Sequence, residues 1–140
     1  MLTSTQKGLV QDSFARFSPL IEDVAALFYR RLFELDPSLR GMFAESLVPQ
    51  QRKLAQTLTA AVKGLDHVDQ LIPVLQDLGR RHARYGVTDA HYDTVGTALL
   101  WTFQKVLGPA FTAEVEDAWT TVYGILASTM KHAARNEAAA

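Results

Sequence analysis

Cysteine is absent from the 140 residues, and with it every disulfide, thiolate metal site and cysteine nucleophile. That absence is compatible with the cytoplasm. An excess of charge is also missing. Fourteen Lys and Arg stand against 15 Asp and Glu, a formal net charge of -1, so there is no basic field to hold nucleic acid or another polyanion. No apolar run reaches the roughly 20 residues that cross a bilayer. The first residues, MLTSTQKGLV, lack the basic start and apolar stretch of a secretory signal. A soluble, cytoplasmic protein with neither nucleic acid nor membrane among its partners is the expectation. The common catalytic signatures are lacking too: no phosphate-cradling glycine loop, HExxH, calcium loop or nucleophile elbow. The four histidines, His67, His82, His91 and His132, form no cluster at metal-ligand spacing.

What remains is an ordinary globular composition, 48% hydrophobic and 21% charged, in a length suited to one domain with a real core. The apolar period is near 3.6 almost throughout, and no segment alternates as a strand. Breaks fall at Ser18-Pro19, Asp36-Pro37, Gly64, Gly86 and Gly108-Pro109. With Ser18 and Asp36 as caps before Pro19 and Pro37, helices are expected over 4–17, 19–35 and 37–43. A fourth runs over 49–63. Residues 66–84 follow, with Pro73 starting or kinking a short helix. Thr88 caps a helix to Leu107 and Thr112 one to about Ala134, leaving 135–140 as a frayed tail. The whole, 1–140, reads as a single all-α domain.

The last two helices carry the clearest stripes. Tyr92, Val95, Gly96, Leu99, Phe103 and Val106 share one face; Val115, Trp119, Val122, Tyr123, Leu126 and Met130 share another. Both faces should be core. His82 follows Leu75 and Leu78 on an apolar face, while Arg80, Arg81 and Arg84 point elsewhere. Such a histidine is either a satisfied core residue or an axial ligand of haem iron. In the second case the Leu78 carbonyl, one turn earlier, can accept the other ring N–H and fix the tautomer. Tyr29 lies inward among Ala25, Leu32 and Phe33, and a buried hydroxyl there needs a partner. Gln50, one turn before Leu54, reads on its own as a solvated first-turn residue. Gly8, Gly79 and Gly96 inside helical patterns suggest close packing; Gly79, near His82, also leaves room for a planar ligand.

Four stretches together resemble the bacterial single-domain globins that are similar to the haem domain of flavohaemoglobins, and among these their thermophile type. They are LFYRRLFELDPSLRGMF (27–43), QQRKLAQTLTAAVKGLD (50–66), LGRRHARYGVTDAHYDTVG (78–96) and AWTTVYGILA (118–127). The resemblance covers about residues 5 to 131. It implies an all-α globin fold of about seven to eight helices around a pocket for haem b, iron protoporphyrin IX. By the same resemblance His82 is the proximal metal ligand, Phe43 packs on the porphyrin, and Tyr29 and Gln50 are the distal, catalytic pair. Leu54 is the apolar residue above the iron, Lys53 lies near a propionate, and Tyr92 is the proximal tyrosine. Leu78, Val87 and Leu126 complete the cofactor-binding wall. For Lys53 a solvated surface lysine is the competing reading.

One position departs from the family. Flavohaemoglobins carry a glutamate on the proximal side about eleven residues after the tyrosine of this last motif; here the tyrosine is Tyr123 and that place is Ala134. Without the carboxylate the imidazole is a weaker electron donor, which argues against strong peroxidase-like chemistry. The resemblance implies reversible, high-affinity binding of oxygen, and of nitric oxide and carbon monoxide, at a pentacoordinate-type haem. It also implies detoxification of nitric oxide by dioxygenation to nitrate. No flavin- or nicotinamide-binding stretch is evident, so an external reductase is expected. The alternative is a gas-sensing module read by a partner protein.

Overall fold

The computed structural model describes residues 2–139, and among them there is no strand. Six α-helices follow in order: α1 (Ser4–Phe17), α2 (Ile21–Leu35), α3 (Val48–Gly64), α4 (Val68–Arg84), α5 (Asp89–Leu107) and α6 (Ala113–Ala139). Short 3-10 turns at Ser18–Leu20, Pro37–Met42 and Gly108–Ala110 punctuate them. The all-α expectation holds. The seven to eight expected helices become six among the described residues, because the segment opened by Pro37 closes as a 3-10 turn and Pro73 does not divide α4.

Several boundaries moved for local reasons. Ser18 does not cap; its hydroxyl donates back to the Ala15 carbonyl at 3.4 Å, and α2 starts at Ile21 with no side-chain cap. Asp36 does cap, accepting from the Ser38 amide at 3.1 Å. Pro73 neither starts nor breaks a helix but sits inside α4. Its missing donor falls in the helix's second turn, where residues 72–74 are exposed and water can reach the Asp69 carbonyl left without a donor. Thr88 caps α5 in a reciprocal box with His91, whose Nδ1 accepts from the Thr88 amide at 2.9 Å. Thr112 accepts from the Val115 amide at 3.2 Å. The helix it opens does not end at Ala134 but continues to Ala139, with Arg135 bonded to Asp89 at 2.8 Å.

The core joins one face of each of α1, α2, α3, α5 and α6. Its aromatic centre is Phe17, Phe103 and Trp119, with Phe103–Trp119 ring centres 4.4 Å apart. The buried Trp119 indole N–H donates to Ser13 Oγ at 2.9 Å, so the one polar atom in that centre is satisfied. Burying each such ring contributes on the order of 1.5–3 kcal/mol. Most of the α5 and α6 stripes face this core as expected, but Val106 is 37% exposed, and Tyr92 and Met130 lie outside the cluster, on the side toward α4.

α4 stands apart from the main core and rides chiefly on α6, whereas α3 leans chiefly on α2. The crossing of α4 and α6 is set by Gly79. A Cβ there would lie 2.2 Å from the Met130 carbonyl oxygen, so only glycine permits the approach. Gly79 is thus committed to helix packing rather than to a planar ligand. Gly8, expected to mark close packing, has nothing near it. The α3–α4 pair meets at their shared corner, where Leu71 closes on Gly64; beyond it the two helices rest on different supports.

Candidate functional site

The first half of the site grows from α2 and the start of α3. Tyr29 is 4% exposed and is boxed by rings of Phe28, Phe33 and Phe43, with centres 4.9, 6.1 and 5.6 Å away. Phe43 follows the Pro37–Met42 turn in extended backbone. The stretch after it is pinned by Arg40, which donates to the carbonyls of Ala44 and Glu45 at 2.9 and 2.6 Å. Gln50, in the first turn of α3, donates its amide N–H to the Tyr29 oxygen at 3.0 Å. It is therefore not merely solvated. Burial pushes the Tyr29 phenol above its ordinary pKa, and the bond from Gln50 opposes this only in part. Tyr29 stays protonated at neutral pH, and its own O–H remains available to a further acceptor.

The second half is carried by the C-terminal turns of α4. The half-buried His82 donates its Nδ1–H to the Leu78 carbonyl at 2.7 Å. Burial lowers the imidazole pKa; the Leu78 carbonyl works against this and the neighbouring Arg81 with it. The ring is thus neutral, with the Nε2 lone pair exposed to a ligand-binding role. The Val87 amide bonds to the His82 carbonyl at 3.0 Å, holding the following turn against the helix. The Tyr92 ring stacks beside His82, centres 6.4 Å apart and planes 28° from parallel.

Tyr92 is fixed from behind by Tyr123, which the sequence places in the core stripe of the last helix and in the last of the four family-like stretches. The Tyr123 hydroxyl donates to the Tyr92 carbonyl at 2.5 Å. Gly96 makes room for it, since a Cβ there would meet the Tyr123 ring at 2.7 Å. Burial raises the Tyr123 phenol far beyond its usual range, with Tyr92 and Asp93 adding to the effect. The Tyr92 hydroxyl, by contrast, is buried with no hydrogen-bond partner. The Lys131 ammonium instead covers the Tyr92 ring, 5.5 Å from its centre.

The remaining predicted residues are placed less tightly. Leu54 and Leu126 are half-buried and pack against the same core cluster that holds Tyr29. Leu78 and Val87 are half-buried beside His82, whereas Lys53 is exposed on α3. The geometry therefore brings together Tyr29, Gln50 and Phe43 on one side, and His82, Leu78, Val87 and Tyr92 on the other; it does not draw Lys53 into either group. The role of Tyr123 was missed because a tyrosine in an apolar stripe reads as packing. The available signal was Gly96 in the facing stripe, a vacancy that a large ring fills.

Among the described residues, no three His, Cys, Asp or Glu side chains gather to hold a metal ion. The donor set is one neutral imidazole with a fixed tautomer, which suits a metal that arrives already held in a macrocycle rather than a bare ion. No helix among the described residues is long and apolar enough to cross a membrane.

Comparison with known proteins fits this arrangement. The globin family model matches residues 26–130. Neuroglobin of Danio rerio is 33% identical over 92% of this chain and 90% of its own length. A flavohemoprotein of Chromobacterium violaceum is 35% identical over 93% of this chain, which spans only 33% of that longer protein. Among solved structures, an engineered carbene transferase built on an inferred nitric oxide dioxygenase of Rhodothermus marinus superposes with a TM-score of 0.89. It is 29% identical and covers 99% of this chain and 97% of its own.

Proposed function

The chain belongs to the globin family, and from that premise we propose that it binds haem b through His82 Nε2. Oxygen and other diatomic ligands are then held opposite Tyr29 and Gln50. Haem in this position supplies the iron for reversible gas binding and for conversion of nitric oxide, with oxygen, to nitrate. The chain's own residues determine how firmly and how selectively it does so. His82 is kept neutral and oriented by Leu78, so no proton has to leave Nε2 before ligation. Phe43 offers an aromatic surface beside Tyr29 for packing on the porphyrin. The observation that carries the oxygen-binding reading is the direction of the Gln50–Tyr29 bond. Because Gln50 donates, the Tyr29 proton is free to be donated to a ligand that has gained negative charge.

Nitric oxide dioxygenation is favoured over gas sensing because the distal pair is a donor arrangement suited to retaining oxygen. The flavohemoprotein relatives support the same reading. Re-reduction after each turnover falls to a separate reductase, and the cytoplasm is the compartment where one would be met. Protein made with ample haem is expected to show a haem absorption spectrum that shifts with carbon monoxide. The His82→Ala variant, still helical by circular dichroism, should lose both. Unaltered pigment and gas binding in that variant would refute ligation by His82. Mixing the oxygenated protein with nitric oxide should yield stoichiometric nitrate; oxygen binding without nitrate would leave a carrier and not a dioxygenase.

A further inference from the structure

Residues 43–47 join the Pro37–Met42 turn to α3 without forming a helix, so their carbonyls have no ladder to enter. Arg40 takes up three of them in succession. Its guanidinium donates to the carbonyls of Phe43, Ala44 and Glu45 at 3.4, 2.9 and 2.6 Å. The Arg40 carbonyl in turn accepts from the Phe43 amide at 3.2 Å. Phe43 is thus held at both its amide and its carbonyl by one residue. The donors are spread over two nitrogens of a planar fork, a span that a compact ammonium does not match. None of the ion pairs among the described residues uses Arg40. Its donors go to backbone.

The same side chain reaches the distal phenol through two rings. The Arg40 guanidinium carbon lies over the Phe33 ring, 5.6 Å from its centre. Phe33 meets Phe43 edge to face at 5.6 Å, and the two lie against Tyr29 at 6.1 and 5.6 Å. The clamped connection also leads into α3, whose start has no side-chain cap. Gln50, which donates to the Tyr29 oxygen at 3.0 Å, stands in that uncapped first turn. Both things that orient the phenol, the Phe43 ring and the Gln50 amide, therefore follow from where residues 43–47 are held.

We propose that Arg40 is a positioning residue for the distal site: by clamping residues 43–45 it keeps Phe43 against Tyr29 and fixes the entry of Gln50, so that the phenol stays aimed at the bound ligand. This role rests on the proposed function, because it needs a ligand held between His82 and Tyr29. Without the guanidinium the three carbonyls turn to water and the connection gains freedom. The Tyr29 proton then spends less time on the ligand, and the ligand leaves sooner.

The test is the C–O stretch of the ferrous holoprotein's carbon monoxide complex, which falls as a donor approaches the bound ligand, together with oxygen release by stopped flow. Arg40→Ala should broaden the band, move it toward its position in Tyr29→Phe, and speed oxygen release several-fold. Arg40→Lys, which keeps the charge without the fork, should shift the band in the same direction and carries the test alone where Arg40→Ala loses its helices. In Arg40→Ala/Tyr29→Phe the release rate should match that of Tyr29→Phe within twofold, because Arg40 acts through the phenol. Ser13→Ala strips the Trp119 indole of its acceptor and supplies a destabilised protein with the clamp intact; its band should not move. A band unmoved in Arg40→Ala and Arg40→Lys, or single effects that multiply in the double variant, overturns this role and leaves the proposed function standing. A Tyr29→Phe band equal to that of the unaltered protein, or the absence of any haem spectrum, removes the distal reading and the role of Arg40 together.

Discussion

At the scale of single residues, the distal pair makes a quantitative demand. Tyr29 accepts from Gln50 and keeps its own proton for a ligand. A hydrogen bond to a charged acceptor is worth roughly 1.5–3 kcal/mol, and 1.4 kcal/mol is a factor of ten. Tyr29→Phe removes that donor but retains the ring contacts with Phe28 and Phe43. Oxygen release, followed by replacement with carbon monoxide, should therefore accelerate between about tenfold and a hundredfold. Gln50→Leu should act more weakly, because it frees the Tyr29 oxygen without removing its proton. An unchanged rate in Tyr29→Phe would take the phenol out of ligand retention. His82 was legible from the sequence as one of two things, a core histidine or an axial ligand; its bond to Leu78 at helical spacing followed from geometry alone. The Gln50–Tyr29 contact was not legible in this way. It joins residues 21 apart on different helices, and no local pattern fixes how two such helices cross.

At the scale of elements, helix identity followed from apolar period, while helix ends followed from details the period does not contain. Thr88 and Asp36 capped as their residue types suggest. Ser18 did not, because its hydroxyl found a carbonyl of the preceding turn. Pro73 is expected to start or kink a short helix because proline lacks a donor, yet it lies inside α4 in an exposed early turn, where solvent can satisfy that loss. Glycine was the least legible residue: Gly8 and Gly79 look alike in the sequence and differ entirely in what surrounds them. That difference can be measured. At Gly79 an added methyl meets the α6 backbone, which has no rotamer to yield, so α4 must lift from α6. Gly79→Ala should lose about 1–3 kcal/mol in chemical denaturation, more than offsetting a helix-propensity gain of up to ~1 kcal/mol. It should weaken haem retention as well, since His82 rides the same helix one turn on. Gly8→Ala, meeting nothing, should keep the propensity gain and come out neutral or more stable. Equal effects at the two sites would mean that the α4–α6 approach is not close.

At the scale of the whole molecule, the buried phenols tie the site to global stability. Tyr29, Tyr92 and Tyr123 are all shifted upward, chiefly by burial, from an ordinary value of 10.0. They sit on α2, α5 and α6, the last two joined through the Tyr123–Tyr92 bond. The sign follows from proton binding. Below pH 10 both the folded and the unfolded chain keep these protons, and the shifts cost nothing. Above it the unfolded chain releases them while the fold does not, so stability falls as pH rises toward the folded-state values. Tyr85 is the one exposed tyrosine of the four, and a Tyr85→Phe variant leaves only the sheltered ones to observe. In that variant the rise of phenolate absorbance with pH should coincide with the loss of helical circular dichroism, in one cooperative step. Phenolate signal appearing while the helices persist would mean that water and hydroxide reach Tyr29 or Tyr92 in the folded chain. The phenol proposed to hold oxygen would then sit in an open channel and not in a sealed pocket.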